Sequence, residues 1–253
     1  MANLEYKEFT RRRRPHFDPP DGTLFVTFRL AGSIPRSVTR QYKAKLLWLQ
    51  DQLSRIRRIC ATESSQEAED WRLKIENINR EWFIKTEEIL HRAKDGPVWL
   101  SESEVAEKCV ENLRRLDGEV YRLDAYSVMS NHVHTVFKPF LSSLDALRLS
   151  QCDDGCFQLK DHPGLSKIMH SLKGRSAREC NLLLGRTGGF WEHESFDHVI
   201  RKGKFDKTIR YVLNNPVKAG LVERWEDWRW NYCRQELIER FRTVCTPDED
   251  TLY

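Results

Sequence analysis

The sequence predicts an α+β protein, in which an antiparallel sheet forms a sandwich with helices and an inserted helical hairpin extends the domain. Short β-branched and aromatic runs recur along the chain, but they do not alternate with helices as regularly as the strands of a doubly wound parallel sheet. Two long amphipathic stripes follow one another after the first of these runs. Asparagine, glycine and proline separate many of the segments, which is typical of turns.

The first part of the chain is expected to supply one strand and two long helices. The run TLFVTFRL at Thr23–Leu30 has the composition of a strand. From Ser37 to about Cys60, and again from Trp71 to Ile89, apolar residues recur with the four-and-three spacing of a helical stripe. The polar stretch between them predicts a turn, so we expect an antiparallel helical hairpin.

The next part is expected to supply a helix and a strand pair. Ser103 is the favoured N-cap of a helix that runs to about Leu116. Strands are predicted over Val120–Met129 and His132–Lys138, with a tight turn at Asn131 between them.

Residues 141–163 are polar and are expected to be irregular. A helix is predicted over Leu165–Leu184 and a short strand over Phe196–Arg201. A second helix, Phe205–Asn214, should end before Pro216, because the residue that precedes proline avoids helical backbone.

These elements suggest four regions. Residues 1–35 are expected to form a basic arm and the first strand of the main domain, and residues 36–95 the helical-hairpin insertion. Residues 96–232 are expected to complete the main domain, and residues 233–253 to form a C-terminal tail.

Composition excludes several classes of protein. The 253 residues are 40% hydrophobic, which is enough for the core of one elaborated domain or of two small ones. No apolar run approaches the roughly 18 residues needed to span a bilayer, and the N-terminus lacks an apolar signal-peptide core. We therefore expect a cytoplasmic protein without a membrane partner, and its seven scattered cysteines fit reduced thiols.

Basic residues are concentrated in two parts of the chain. Residues 1–60 hold 13 Lys/Arg against 5 Asp/Glu, and Lys167–Lys218 hold 11 against 5. This excess fits a polyanionic partner, and it equally fits a solvated basic surface.

Two histidines stand one residue apart within SNHVHTVF at Ser130–Phe137. Successive side chains of a strand point to opposite faces, so His132 and His134 should share one face. Two neutral imidazoles on one rigid surface form half of a divalent-metal site. A chance pair of surface histidines is the other interpretation of this pattern.

A second group of candidate residues lies in RYVLNNPVKAGLV, from Arg210 to Val222. Tyr211 and Asn215 are four residues apart on a short helix, which places them on the same helical face. A phenol there can attack a phosphorus atom, and an amide carbonyl oxygen can bind a metal. In the alternative interpretation, the tyrosine packs into the core and the Asn-Pro pair simply ends the helix.

Four motifs occur in order along the chain: MSNHVH, LKGRSAREC, GGFWEHESFDHVIR and RYVLNNPVKAGLV. Together they resemble the REP-associated tyrosine transposases, members of the HUH (His-hydrophobic-His) superfamily of single-strand DNA transposases. The resemblance spans about Thr23–Leu30 and Trp99–Tyr232, and residues 36–95 exceed what the family core needs. It implies an HUH endonuclease-like fold with a ferredoxin/RRM-like core.

The resemblance also implies an activity. The protein would be a metal-dependent single-stranded DNA endonuclease and strand transferase that cuts and rejoins DNA at hairpin or repeat sequences. Tyr211 would be the nucleophile, forming a 5′-phosphotyrosine link and releasing a 3′-hydroxyl. The link preserves the energy of the broken phosphodiester, so we expect no nucleotide cofactor, and the chain has no G-x-x-x-x-G-K-[ST] loop.

The implied metal is Mg²⁺ or Mn²⁺. His132 and His134 match the two histidines of the family, and the third ligand, four residues after the tyrosine, falls on Asn215. Because Pro216 favours extended backbone at Asn215, Asn214 stays open as an alternative third ligand.

The implied partner is single-stranded DNA with hairpin structure, bound by a monomer or a homodimer. Basic candidates for contacts with its phosphates are Arg11, Arg12, Arg13, Arg14, Lys173, Arg175 and Arg178. Lys207 and Arg210 would supply the positive field that a phenol needs to ionise, since its usual pKa is near 10. Phe190, Trp191 and Phe196 could stack on unpaired bases, although we expect at least two of the three to pack in the core.

Three other functions stay open at this stage. The chain could be a domesticated, sequence-specific DNA-binding protein that keeps the fold without turnover. It could be another HUH nuclease such as a replication initiator, against which the lack of a helicase segment argues. A zinc-dependent hydrolase that uses the two histidines would leave Tyr211 without a role.

Overall fold

The computed structural model describes residues 22–59, 66–94, 96–140 and 164–241. The chain divides into two compact units. The first unit joins the segment that ends at Arg29 to the segment that begins at Trp99, and the second unit is Leu30–Val98.

The described strands and α-helices alternate irregularly, as the sequence predicts. In chain order they are β1 (Leu24–Arg29), α1 (Arg36–Ile59), α2 (Gln66–Arg92), α3 (Ser103–Arg115), β2 (Tyr121–Val128), β3 (His132–Pro139), α4 (Leu165–Leu183), β4 (Phe196–Val199), α5 (Phe205–Leu213), α6 (Asn215–Lys218), β5 (Asn231–Cys233) and α7 (Gln235–Phe241).

The first unit is built on one sheet of five strands in the order β4-β1-β3-β2-β5. Every neighbouring pair is antiparallel. The central strand β3 is buried along nearly its whole length, since both of its faces are covered. The structure therefore confirms the predicted fold class, an antiparallel α+β sandwich.

Helices cover both faces of this sheet. On one face, Phe28 of β1 packs against Trp191, whose indole nitrogen donates a hydrogen bond to Ser176 of α4. The Tyr121 hydroxyl of β2 donates to the Leu113 carbonyl of α3 on the same face. Helix α5 lies against the opposite face, and the candidate histidines and Tyr211 lie on that side.

Two details of local structure differ from the sequence prediction. Helix α3 takes Glu102, not Ser103, as its N-cap, and no side chain caps it there. The chain does end a helix before Pro216, but it restarts at once as α6, with Asn215 as the first helical residue. Proline is tolerated in the first turn of a helix, where its missing N–H has no intrahelical partner, so Pro216 does not force Asn215 into extended backbone.

One strand and one helix near the C-terminus are not predicted from the sequence. Residues 231–233 form β5, and residues 235–241 form α7. Arg234, between them, donates a 2.6 Å hydrogen bond to the Leu123 carbonyl and lies 3.3 Å from carboxylates of Asp117 and Asp124. These contacts fix the last strand to the edge of the sheet.

The second unit is an antiparallel pair of long helices, and it confirms the predicted helical hairpin. Tyr42 near the start of α1 stacks on Trp82 of α2, with ring centroids 4.1 Å apart, and Trp48 further along α1 meets Trp71. The apolar core of this unit also includes Ile34, Leu46 and Leu90. Both predicted stripes therefore face each other.

Gly32 and Gly96, which lie at the two ends of the helical hairpin, are in close contact. Gly96 has a φ of +79°, which is the left-handed region that glycine adopts freely, and a Cβ placed there would collide with the Gly32 carbonyl oxygen. Only glycine fits at Gly96, because both the backbone angle and the close approach exclude a side chain.

None of the described helices combines the length and the apolarity that crossing a lipid bilayer would demand.

Candidate active site

His132 and His134 lie on one face of β3, and their side chains converge. The two Nε2 atoms are 3.0 Å apart, and the rings cross at 82°. Both side chains are fully buried. A strand produces this arrangement because residues two apart share a face of the sheet.

Each imidazole has a polar partner at its other nitrogen. His132 Nδ1 lies 2.7 Å from Asn131 Oδ1, and His134 Nδ1 lies 2.8 Å from Thr27 Oγ1. Thr27 pairs with His134 across the β1–β3 ladder, so the sheet register brings the hydroxyl to the ring. Hydrogen bonds of this kind fix the orientation of a histidine that binds a metal.

The two Nε2 atoms are close enough for one cation to bind both of them, because ligand atoms at adjacent positions around a divalent metal lie about 3 Å apart. Imidazole nitrogens and an amide oxygen are ligands that several divalent cations accept. These residues therefore form a candidate metal site.

Tyr211 of α5 lies beside the histidine pair. Its ring meets the His134 ring edge to face at a centroid distance of 5.6 Å, and the Phe25 ring at 5.8 Å. Only 5% of Tyr211 is exposed. The helix therefore carries the candidate nucleophile to the same face of the sheet as the candidate metal ligands.

Asn215 follows one helical turn after Tyr211. Its Nδ2 donates a 2.7 Å hydrogen bond to the Tyr211 backbone carbonyl, and the residue is fully buried. Since the amide nitrogen is committed in this way, Oδ1 is the atom through which Asn215 can bind a cation. Asn214 is also buried, at the C-terminal cap of α5, so its role as an alternative ligand stays a prediction.

A lysine that the sequence analysis did not single out lies next to Tyr211. The Nζ atom of Lys218, at the end of α6, is 4.9 Å from the centroid of the Tyr211 ring. Arg210 and Lys207 are half-buried on α5, the helix that carries the tyrosine. The helical restart at Asn215 brings Lys218 back to the tyrosine, a consequence that an extended Asn-Pro segment would not have produced.

The structure separates the other basic candidates from this site. Lys173, Arg175 and Arg178 are on α4, which covers the opposite face of the sheet. Lys173 Nζ donates to the carbonyls of Glu192 and His193, and Arg175 pairs with Glu179 at 2.9 Å. Lys173 thus anchors a loop, whereas Arg175 and Arg178 are both exposed. DNA binding by these three residues stays a prediction. The predicted contacts of Arg11, Arg12, Arg13 and Arg14 lie outside the described residues.

Two of the three candidate stacking aromatics pack in the core, as expected. Phe190 stacks on Trp99, and Trp191 meets Phe28 edge to face. Phe196 is half-buried and lies against Phe25. A cavity of about 310 Å³ lies beside Trp191, between α4 and residues 188–197, on the α4 side of the sheet.

A further histidine lies near the site without belonging to the pair. His198 of β4 packs on Phe25 at a centroid distance of 5.1 Å. Burial lowers the pKa of His198 to about 4, with a smaller opposing contribution from Asp197. This imidazole is therefore neutral at physiological pH.

Sequence reasoning missed Thr27, Asn131 and Lys218 as parts of the site. Asn131 was interpreted only as a turn residue, although its position next to His132 was a usable signal. Thr27 gives no such signal, because it is 107 positions away from His134 in the chain and only the strand register pairs them.

The fold and the site together define an α+β protein in which a buried pair of histidines on a central strand faces a tyrosine on a covering helix. No protein-family model matches the chain, and no curated protein matches it. Among solved structures, it is similar to one described as a REP-associated tyrosine transposase bound to a REP hairpin. That match has 15% identity and a TM-score of 0.42, and it covers 93% of this chain and 84% of that chain.

Proposed function

We propose that the protein is a metal-dependent, single-stranded DNA endonuclease and strand transferase that acts through Tyr211. The observation that carries the proposal is the contact of the Tyr211 ring with His134, whose Nε2 lies 3.0 Å from that of His132. A phenol beside a pair of imidazoles that can share one divalent cation is an arrangement suited to phosphoryl transfer. The four sequence motifs support the same proposal.

The chain's own residues account for most of the chemistry. The Tyr211 oxygen attacks phosphorus, a phosphotyrosine bond forms, and the bond to the departing 3′-oxygen breaks, leaving a 3′-hydroxyl. His132, His134 and Asn215, with Asn214 as the alternative to the last, would hold Mg²⁺ or Mn²⁺. When bound, the cation neutralises charge on the non-bridging phosphate oxygens. Lys218 adds positive charge beside the tyrosine.

Hairpin DNA is the proposed substrate, and its binding is assigned to the basic residues identified in the sequence. Lys207 and Arg210 precede the tyrosine on α5, and Arg178 presents an exposed charge on α4. Attack by Tyr211 on the 5′ side of a hairpin end would hold the DNA covalently until a second 3′-hydroxyl reverses the reaction.

Burial of the site imposes one condition on this function. Tyr211 is 5% exposed, and both histidines are fully buried. A phosphodiester can meet the phenol only after neighbouring groups move aside, so the described state is a closed one and an opening step must precede attack.

The same burial favours one second candidate, a DNA-binding protein that keeps the site as a structural element and does not turn over. This candidate shares the fold and the basic residues with the first. It differs in predicting hairpin binding without a covalent product.

The deciding experiment incubates the full chain with end-labelled single-stranded hairpin oligonucleotides and Mg²⁺ or Mn²⁺. The proposal predicts a labelled adduct that survives denaturing electrophoresis and is absent in Tyr211→Phe and His132→Ala. Both variants should still bind the hairpin, because neither removes a basic residue. Tyr232→Phe is the matched control, since that tyrosine stacks on Tyr126 on the other face of the sheet and should form normal adduct.

Three outcomes would count against the proposal. An adduct formed by Tyr211→Phe would exclude this tyrosine as the nucleophile. Hairpin binding without an adduct in the wild type would favour the second candidate. An adduct that forms equally well in the presence of excess chelator would exclude the cation.

A further inference from the structure

Two cysteines on neighbouring helices lie in contact in the interior of the first unit. Cys109 is on α3 and Cys180 is on α4, and their Sγ atoms are 4.0 Å apart. Both residues are buried, with 2% and 0% of their surface exposed. Neither belongs to the candidate active site, because α3 and α4 cover the face of the sheet opposite Tyr211.

Further contacts between α3 and α4 hold the two thiols together. Cys180 Sγ also lies 3.7 Å from the Val105 carbonyl oxygen, one helical turn before Cys109. Three residues after Cys109, Asn112 Nδ2 donates a 2.7 Å hydrogen bond to a carboxylate oxygen of Glu179. Because the helices are joined on both sides of the sulfur contact, the two thiols stay adjacent and need no large movement to react with each other.

The same packing makes both thiols slow to react in the closed structure. Thiol oxidation begins from a thiolate, and the hydrogen bond with Cys180, together with burial, holds the pKa of the Cys109 thiol well above its usual value. A reagent must also reach the interior, which happens during local openings of the packed helices. The pair therefore stays reduced until a small, strong oxidant such as hydrogen peroxide is present.

We propose that Cys109 and Cys180 are an oxidation site, at which hydrogen peroxide links α3 to α4 by a disulfide. One sulfur attacks the peroxide, so that an S–O bond forms, the O–O bond breaks and water leaves, giving a sulfenic acid. The second sulfur displaces the sulfenic oxygen, so that the S–S bond forms, the S–O bond breaks and a second water leaves. Two thiols and one peroxide thus give one disulfide and two waters, with sulfur oxidised and peroxide oxygen reduced. The inference is independent of the proposed DNA chemistry.

The disulfide should stabilise the first unit. Its two cysteines are 71 positions apart, and the loop that it closes contains β2 and β3. A cross-link over so long a loop removes much of the conformational freedom of the unfolded chain. We therefore expect the unfolding temperature to rise by roughly 5 °C or more when the bridge forms.

The first test is a peptide map of the full wild-type chain. The native protein is treated with hydrogen peroxide, its remaining thiols are blocked with iodoacetamide in denaturant, and its tryptic peptides are identified by mass spectrometry. Trypsin releases the two cysteines in separate peptides, Cys109–Arg114 and Glu179–Arg186, so a bridge between them is detected directly. We expect this linked pair to be the main disulfide of Cys109. In a chain oxidised in denaturant, Cys109 can pair with any of six other cysteines, so Cys180 should account for about one sixth of its bridges or less.

The second test measures thermal unfolding before and after peroxide treatment. The wild type should gain roughly 5 °C or more, and dithiothreitol should reverse the gain. Cys180→Ala cannot form the bridge and should gain nothing. Cys233→Ala is the matched control, because Cys233 is also buried but contacts no other thiol among the described residues, so this variant should gain as much as the wild type.

Several results would overturn this proposal. Cys109 that is still blocked by iodoacetamide after peroxide treatment, or that is recovered as a sulfinic acid without a bridge, would exclude the disulfide. A share of bridges to Cys180 no larger in the native chain than in the denatured chain would show that the fold does not favour this pair. A bridge that leaves the unfolding temperature unchanged or lowers it would exclude a stabilising link between α3 and α4. The peptide map uses the wild type alone, so its result does not depend on the folding of any variant.

Discussion

Removal of the Lys218 charge should slow adduct formation by Tyr211. The ammonium lies 4.9 Å from the centroid of the tyrosine ring, and the phenol oxygen carries negative charge once it has lost the proton that it must lose for attack. Two unit charges about 5 Å apart interact by about 0.8 kcal/mol in water and by about 3 kcal/mol at an effective dielectric constant of 20. Because Lys218 is exposed, a value near the lower limit, about 1 kcal/mol, is appropriate.

A loss of about 1 kcal/mol corresponds to a rate about fivefold slower. The assay is single-turnover adduct formation at saturating hairpin DNA, which separates the chemical step from DNA affinity. Lys218→Met should show the fivefold loss, and Lys218→Arg, which keeps the charge, should stay within about twofold of the wild type. The difference between the two variants should shrink at high salt, because an exposed charge is screened.

Either of two results would contradict this role of Lys218. An unchanged single-turnover rate in Lys218→Met would show that its charge does not act on the tyrosine. A loss confined to DNA affinity, with the rate at saturation preserved, would place Lys218 at a phosphate instead.

Three further predictions follow from contacts around the site and on the opposite face. Burial lowers the pKa of His198 from 6.5 to about 4, so the unfolded chain binds a proton that the native chain excludes, and stability should fall as pH drops through this window. The unfolding temperature should fall between pH 7 and pH 4.5 in the wild type, and it should fall less in His198→Gln. Trp191→Phe removes the buried 2.9 Å hydrogen bond to Ser176 and should cost about 1 kcal/mol in urea denaturation, and Ser176→Ala should add little in that background. Lys173→Met should lower stability, because the Lys173 ammonium joins α4 to two loop carbonyls. Arg178→Met should leave stability unchanged and should reduce by about 1 the slope of the logarithm of hairpin affinity against the logarithm of salt concentration. Equal stability of the two variants would contradict the structural role of Lys173.

The sheet and the helical hairpin could be predicted because their periodicities are local. The stripes of α1 and α2 and the strand on either side of Asn131 are each defined by residues close together in the chain. β5 could not be found in this way, since three residues carry too little pattern. It is fixed instead by Arg234, whose partners are more than a hundred positions earlier.

The candidate site was only partly predictable for a related reason. The face shared by His132 and His134 follows from strand geometry alone, but their burial does not. A strand face that carries two histidines and Lys138 has the pattern of a solvent-facing side, whereas in the structure α5 covers it. The sequence does not predict the helical restart at Asn215, because a residue before proline prefers extended backbone whereas proline itself is tolerated in a first helical turn. The position of Lys218 against Tyr211 depends on that restart.

The contact between Gly32 and Gly96 allows the length of the helical hairpin to change. The segment between them leaves and returns at adjacent points, so lengthening or shortening α1 and α2 by matched numbers of turns would leave its two endpoints where they are. Natural variation and protein engineering can therefore act on the far end of the hairpin, for example by grafting a reporter or a binding peptide there. A side chain at position 96 would remove this freedom, because it would force the two endpoints apart.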